Sequence, residues 1–358
     1  MALPTLAATS RQEYIDNAID AANILCAAYN GSNGLFDGGD GEAGWWTSGN
    51  AVTTIGNLAA LDSSLLGTAE EIFACTFSKA PYAPVAAKYN VQRGTFLDDF
   101  FDDEGWWALA WIKAFDVNEN TTYLDEAMTI FADIDKAANG HCGGRPWTRI
   151  DENNQINSIT NELFFALAAS LANRVRSNSD FYAGLARYQA DWFHHSGLLG
   201  SSDNDLIVDA LDQSTCQPNG SSTMWTYNQG VILGALVEMH RLTGEQQYLD
   251  SAHRIARGVT SRMVSAEGVL TEYGYPDVQE GAEQFKGVFV RNLMYLHQAS
   301  PDQGYVDFLT KNADSIWKSG RAGDGRIGVN WQGPLRSVDA VSHGSGLDCL
   351  IAAAAVAR

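Results

Sequence analysis

Apolar residues run along this chain in two alternating textures. In the first, they recur on a helical period with one wet side. Leu124, Ala127, Met128, Phe131, Ile134 and Ala138 fall on one face, as do Leu249, Ala252, Ile255, Ala256 and Val259. That spacing predicts amphipathic helices. A weak repeat marks where four of them open: Tyr14-Ile15-Asp16, Tyr123-Leu124-Asp125, Tyr248-Leu249-Asp250 and Tyr305-Val306-Asp307. Segments near Leu65 to Ala80 and Phe181 to His194 complete a set of six. The second texture is apolar nearly all round and rich in Ala and Gly. It begins near Trp46, Asp103, Asn161, Asn228, Lys286 and Gly344. Helices of that kind are expected to be buried on most faces and closely packed.

A half-wet helix followed by a fully buried one, repeated six times, predicts an all-α fold of two concentric rings. This is an (α/α)6 toroid, with six parallel inner helices inside six outer ones. A plain α-solenoid would not explain why only alternate helices are buried all round. No linker-like tract divides the sequence, so residues 1–358 are expected to form a single domain. Parallel inner helices place their six N-termini at one mouth of the ring. The residues expected to converge there are Trp45, Trp46 and Asn50; Asp102, Asp103, Trp106 and Trp107; Asn161 and Glu162; Tyr227, Asn228 and Gln229; Phe285 and Lys286; Ser342 and His343. Aromatic, amide and carboxyl side chains are the types that line sugar-binding clefts.

Composition narrows the function. The formal net charge of −20, with only 23 Lys plus Arg, offers no basic face for nucleic acid. No apolar run approaches the roughly 20 residues of a membrane-spanning helix. The first dozen residues lack a charged start and a full apolar stretch, so they are not read as an intact signal peptide. Three sequons, at Asn30, Asn120 and Asn219, fall in expected loops or turns and favour a secreted glycoprotein. The five cysteines suit neither a disulfide scaffold nor a zinc site; one or two disulfides are allowed, and Cys26 and Cys349 read as core. The Gly-rich pieces Asp37 to Gly41 and Gly323 to Gly325 lack EF-hand or P-loop spacing and read as loops.

The chemistry concentrates in Phe96-Leu97-Asp98-Asp99-Phe100-Phe101-Asp102-Asp103-Glu104-Gly105-Trp106-Trp107. Acidic residues before a helix ordinarily cap it and oppose its dipole. Five carboxylates in seven positions, followed by a Trp pair at the expected mouth, exceed what capping needs. Glycoside hydrolysis requires two carboxyl groups in different protonation states about one glycosidic oxygen. Neighbouring carboxylates supply the difference, because repulsion raises one of the two pKa values. Adjacent Asp residues on a regular helix point roughly 100° apart, so Asp102 is expected to be still non-helical, with the two flanking a bound sugar. Asp98 and Asp99 are the alternative pair, one turn earlier. Lys286 is expected either to balance the carboxylates or to reach solvent, and Arg149 and Arg326 to be surface residues.

The run from Asp102 to Ile112 resembles the signature of glycoside hydrolase family 76, the endo-α-1,6-mannanases. Thr160-Asn161-Glu162-Leu163-Phe164, Thr226-Tyr227-Asn228-Gln229-Gly230, Phe285 to Arg291 and Asn330-Trp331-Gln332-Gly333-Pro334 fit as well, in order, from about Trp45 to His343. The resemblance implies an (α/α)6 fold, retention of configuration, no cofactor and no metal. It implies Asp102 as nucleophile and Asp103 as acid/base; the physics alone accepts the reverse. Expected substrate contacts are Trp45, Trp46, Asn50, Trp106, Trp107, Asn161, Tyr227, Asn228, Gln229, Lys286 and His343. The expected partner is α-1,6-linked mannan, and the expected state a secreted monomer of fungal origin. The rival readings are a mannosyl transglycosylase of the fungal cell-wall type and a carbohydrate-binding toroid without catalysis.

Overall fold

The computed structural model describes residues 9–38, 43–138, 141–149, 155–199, 205–219 and 223–358. Among these, six helices form an outer layer: α1 (Arg11–Ala27), α3 (Leu66–Lys79), α5 (Thr121–Lys136), α7 (Ser179–Ser196), α9 (Gln246–Arg262) and α11 (Gln303–Ser319). Six alternate with them: α2 (Trp46–Leu61), α4 (Phe101–Asn118), α6 (Ser158–Arg174), α8 (Thr226–Thr243), α10 (Phe285–Ala299) and α12 (Ala340–Val356). The second set packs in a closed cycle, α2 on α4, α4 on α6, and so on through α12 back to α2. The fold is the all-α toroid that the alternation predicts. None of the helices among the described residues is long and apolar enough to cross a membrane.

The two textures sort as their periodicities require. On α9 only Leu249, Ala252, Ile255, Ala256 and Val259 are buried, one stripe of an otherwise polar helix. On α6 every residue from Ser158 to Ala172 is buried. Each repeated tyrosine sits in the first turn or so of an outer helix and packs inward; Tyr14, Tyr123 and Tyr305 are buried.

Inner helices approach one another at glycine. A Cβ on Gly230 of α8 would stand 2.7 Å from the Phe289 Cα of α10, and one on Gly287 of α10 would stand 2.7 Å from the Ser345 Cα of α12. Both obstacles are backbone and cannot rotate away, so these positions tolerate no side chain at the present spacing.

Connections differ sharply at the two ends of the ring. Inner helices hand over to outer ones through short links such as 119–120 and 244–245, whereas outer-to-inner connections are long, as in 80–100, 197–225 and 263–284. The long loops all rise at the N-terminal mouth of the inner helices. They carry the scant β-structure: a hairpin of β1 (Tyr29–Asn30) with β2 (Leu35–Phe36), and an antiparallel sheet of β3 (Ile156–Asn157), β4 (Ala210–Asp212) and β5 (Gln217–Pro218) in the order β3-β4-β5. A Cys142–Cys216 disulfide spans 74 positions and ties the loop before α6 to the β4–β5 turn region. Cys26, Cys75 and Cys349 are free; Cys349 is buried as expected, whereas Cys26 is half-buried. The opposite mouth is lined by charge around a cavity: Arg174 of α6 pairs with Asp116 of α4 through two 2.7 Å hydrogen bonds, and with Glu238 of α8 at 3.2 Å.

Substitution to Ala at Gly230 or Gly287 is expected to destabilise by about 1–3 kcal/mol through overpacking. Gly184→Ala on outer helix α7, where nothing stands within 4 Å, is expected to be neutral or stabilising. Urea denaturation of the three variants checks the contrast.

Candidate active site

A cleft of about 270 Å³ opens at the mouth formed by the inner N-termini. Trp46, Asp102, Asp103, Trp106, Tyr227 and Phe285 come to it from α2, α4, α8 and α10, and Tyr89, Phe100 and Trp147 from the long loops. Aromatic rings form a near-continuous wall: Trp46 lies 6.1 Å from Trp106, Trp106 stacks at 6.3 Å on Tyr227, and Tyr227 stacks at 3.8 Å on Phe285. Phe100 and Trp147, 5.6 Å apart, face them from the loop side. Such a cavity presents flat apolar faces with two carboxyl groups on its floor.

Helix α4 starts at Phe101, two residues before the Asp103 start that a non-helical Asp102 requires. Phe100 pairs with Thr148 in a β-bridge and the Phe101 N–H donates to the Trp147 carbonyl at 3.0 Å, so the chain turns helical at Phe101. Asp102 and Asp103 therefore both lie in the first turn, and their angular divergence sends them to different surroundings. Asp102 Oδ2 accepts from the Trp147 indole N–H at 3.0 Å, and Asp102 Oδ1 from the Asp103 N–H at 3.1 Å. The Asp103 carboxyl, only 6% exposed, stands beside Asp98, Asp102 and Glu104. No hydrogen-bond donor to it occurs among the described residues.

These acids are not caps. The N-cap of α4 is Phe100, which offers no side-chain acceptor. Asp98 instead receives the Trp45 indole N–H at 2.6 Å and the Phe100 N–H at 2.6 Å. Buried Glu104 receives the Asp98 N–H at 2.9 Å and a bond from Arg149, which also pairs with Asp133 and lies over the Phe101 ring at 4.5 Å. Asp99 bonds Asn90. Asp98 and Asp99 line no part of the cleft, so the alternative pair is not the exposed one.

Burial is the largest electrostatic effect on the pair. It pushes Asp102 up to about 7, against the lowering by Trp147 and the Asp103 N–H. Asp103, buried and beset by Asp98, Asp102 and Glu104 with no donor to offset them, is pushed well above the carboxylate range. The two neighbours thus differ in proton affinity, Asp103 being the better proton holder. That is the arrangement an acid and a nucleophile need about one bond.

A family profile settles what this architecture is. Glycosyl hydrolase family 76 matches residues 14–356, spanning both rings and the Asp pair. The chain belongs to glycoside hydrolase family 76. Among curated relatives, this family 76 hydrolase is 26% identical over 334 residues to the mannan endo-1,6-alpha-mannosidase DFG5 of Saccharomyces cerevisiae, a match covering 85% of the chain and 68% of DFG5. With the mannan endo-1,6-alpha-mannosidase DCW1 of Candida albicans it shares 25% over 210 residues, 54% of the chain and 46% of DCW1. The chain thus spans about half the length of that second relative. Among solved structures it superposes, with a TM-score of 0.79 and 20% identity, on an alpha-1,6-mannanase, GH76A of Salegentibacter sp., covering 95% of this chain and 99% of that one. That structure is an inactive variant in which two consecutive aspartates are replaced by asparagine, in complex with alpha-1,6-mannotriose.

The family 76 chain brings only part of the expected contact set to the cleft surface. Trp46, Trp106 and Tyr227 line it with the Asp pair. Trp45 and Trp107 do not: both are fully buried, packed 5.1 Å apart with Phe96 beneath the floor, and Trp45 serves to hold Asp98. Asn161 is saturated by the chain itself, accepting from the Arg145 N–H at 2.9 Å and donating to the Arg145 and Asn157 carbonyls; it fastens the loop that carries Trp147. Gln229 likewise exchanges hydrogen bonds of 2.8 Å with both backbone groups of Ile207, and Asn228 donates to Asp209 at 3.0 Å. Asn50 accepts from buried Arg291. His343 takes the Ile327 N–H at 3.0 Å on Nδ1 and bonds the Ala21 carbonyl at 2.8 Å through Nε2, joining α12 to α1.

Lys286 neither balances the Asp pair nor reaches solvent. It is 2% exposed, bonds the Leu270 carbonyl at 3.4 Å and lies 4.0 Å over the Trp331 ring. Asn161, Gln229 and Lys286 are consumed in pinning the long loops, whereas buried Asn50 Nδ2 and Asn228 Oδ1 have no hydrogen-bond partner among the described residues. Arg149 departs from the expected free surface position through its two ion pairs, whereas Arg326 is a surface residue paired with Asp324. Phe285 belongs to the cleft. Tyr89, Phe100 and Trp147 also line the cleft, from loops whose aromatics carry no periodic signal. Glu162 is fully buried, with neither carboxyl oxygen bonded among the described residues. The stretch Asp37 to Gly41 lies partly outside the described residues.

Asp98, Asp102, Glu272 and Asp348 are all pushed up to about 7 by burial. The native state therefore binds more protons than the unfolded chain between the ordinary carboxylate range and neutrality. Stability from these groups is complete at and below about pH 4 and is lost as pH rises through about 7. Thermal unfolding is expected to show Tm falling from pH 5 to pH 8; a Tm that climbs over that interval contradicts the burial of the cluster.

Proposed function

We propose that this chain is a retaining endo-α-1,6-mannanase that works outside the cell as a monomeric, single-domain enzyme. The observation that carries the reading is the pair Asp102 and Asp103, side by side on the floor of an aromatic cleft, one with two hydrogen-bond donors and one with none. The likeness to mannan endo-1,6-alpha-mannosidases supports the linkage. The neighbouring mannanase, inactive with two consecutive aspartates changed and holding alpha-1,6-mannotriose, supports the pair as its machinery. The Cys142–Cys216 disulfide supports an oxidising compartment, and Asn30 and Asn120 are exposed where a glycan would need them.

The donors favour Asp102 as nucleophile and Asp103 as acid/base. Asp103 gives its proton to the glycosidic oxygen as that bond breaks, and the leaving sugar departs as an alcohol. The Asp102 carboxylate takes the anomeric carbon in a mannosyl ester. Asp103, now ionised, removes a proton from water, whose oxygen displaces Asp102 and restores the starting configuration and both carboxyl groups. A sugar hydroxyl arriving in place of water gives transfer by the same route. Added mannose acceptors and product analysis decide between the outcomes, with free oligosaccharide expected to dominate.

Asp102→Asn and Asp103→Asn are each expected to lower turnover of debranched α-1,6-mannan by about a thousandfold or more. The fold should be kept, and Tm at pH 7 should rise, because each change removes a carboxyl group whose pKa burial raises in the folded state, which destabilises the fold near neutrality. Normal turnover by either variant refutes the assignment. Proton NMR of early products is expected to show the α-anomer first; β first means inversion.

Trp147→Phe removes a donor that holds Asp102 down. The acidic limb of the kcat/KM profile, where activity is lost as Asp102 protonates, is expected to move to higher pH by about half a unit to one unit. An unmoved limb denies Trp147 that role.

A further inference from the structure

The aromatic wall does not stop at the cleft. Beyond Phe285, Trp225 meets that ring edge-on at 5.5 Å, and Tyr273 meets Trp225 edge-on at 5.6 Å. Tyr227, Phe285, Trp225 and Tyr273 thus form a row of ring contacts, 3.8, 5.5 and 5.6 Å apart, that begins in the cleft and ends on an exposed residue. The last member is left bare: Tyr273 is 60% exposed, more than any other large hydrophobic residue among those described.

The loop that carries Tyr273 is held rigidly. Glu272, 3% exposed, accepts from the Tyr273 N–H at 2.9 Å and from both the N–H and the hydroxyl of Thr226, so one buried carboxyl fixes the Tyr273 backbone to the first turn of α8. Two residues on, the Tyr275 hydroxyl donates to the Gly333 carbonyl at 2.8 Å and accepts from Gln332 at 2.8 Å, and Asn330 donates to the Pro276 carbonyl at 2.8 Å. These bonds fasten residues 272–276 to the loop 330–333. Bare aromatic area on a fixed backbone, continuous with the cleft wall, is a preformed platform rather than a mobile flap.

From this row we infer that Tyr273, backed by Trp225, is a distal subsite that stacks a mannose unit remote from the point of cleavage and sets a preference for longer chains. The inference rests on the mannanase reading and extends it to chain-length selection. A pyranose offers its C–H face to the phenol ring. The occupant is the same α-1,6-mannan chain that fills the cleft, because the row is unbroken between them. Tyr273 touches no reacting atom; it acts through binding alone. Its contribution therefore appears only with substrates long enough to reach it.

The test is kcat/KM on α-1,6-mannotriose, mannotetraose and mannohexaose for the wild type, Tyr273→Ala and Tyr273→Phe. Wild-type kcat/KM is expected to rise with chain length. Tyr273→Ala is expected to lose about tenfold on the hexasaccharide and less than about twofold on the trisaccharide, with the loss in KM; Tyr273→Phe, which keeps the ring, is expected to follow the wild type. An equal loss at every length makes Tyr273 a general structural residue and overturns the subsite, as does no loss on the hexasaccharide. A wild type that cleaves no member of the series overturns the mannanase reading itself, and the subsite with it. A wild type that cleaves all of them equally well leaves that reading standing and overturns the subsite alone.

Discussion

The structure turns on the cost of holding two adjacent carboxyl groups out of water. Water would keep both ionised at neutral pH; in a cleft walled by Trp106, Phe100 and Trp147 it cannot do so fully. Burial raises both pKa values, and the surroundings then separate them. Asp102 gains an indole N–H and a backbone N–H, whereas Asp103 gains only further negative neighbours. The difference in protonation on which double displacement relies is a difference in donors.

The remainder of the site supplies those surroundings. Trp147 can reach Asp102 only because its loop is pinned, by Asn161 to Arg145 and by the Phe101 N–H to the Trp147 carbonyl. Asp98 stays beside Asp103 because Trp45 and the Phe100 N–H hold it. Arg149 ties Glu104 to Asp133 of α5, so inner and outer rings meet behind the pair. The ring contributes the geometry: short links on one side, long loops on the other, and glycines such as Gly230 and Gly287 that let inner helices close tightly enough to leave a narrow mouth.

The rings were legible in the sequence because burial on one face or on all faces writes itself into residue spacing. The inner helices start at or shortly before the expected runs: at Trp46 as expected, at Phe285 rather than Lys286, and at Ala340 rather than Gly344. The Asp pair was legible because five acids before two tryptophans exceed what a helix cap uses. The contact set was only half legible. Asn161, Gln229 and His343 have the polarity that sugar hydroxyls favour, yet the same polarity satisfies loop backbone, and the sequence does not distinguish the two uses. Trp45 and Trp107 read the same as Trp46 and Trp106, because which indole faces inward depends on helix rotation. Trp147 and Tyr89 arrive from connections whose path only the folded chain defines.

The most direct test is a carboxyl 13C NMR titration of aspartate-labelled enzyme, with resonances assigned through Asp102→Asn and Asp103→Asn. Asp103 is expected to hold its proton to higher pH than Asp102, which loses its own near 7. If both prove ionised at pH 6, or if Asp103 ionises first, then burial and unequal donors do not set the chemistry of this cleft.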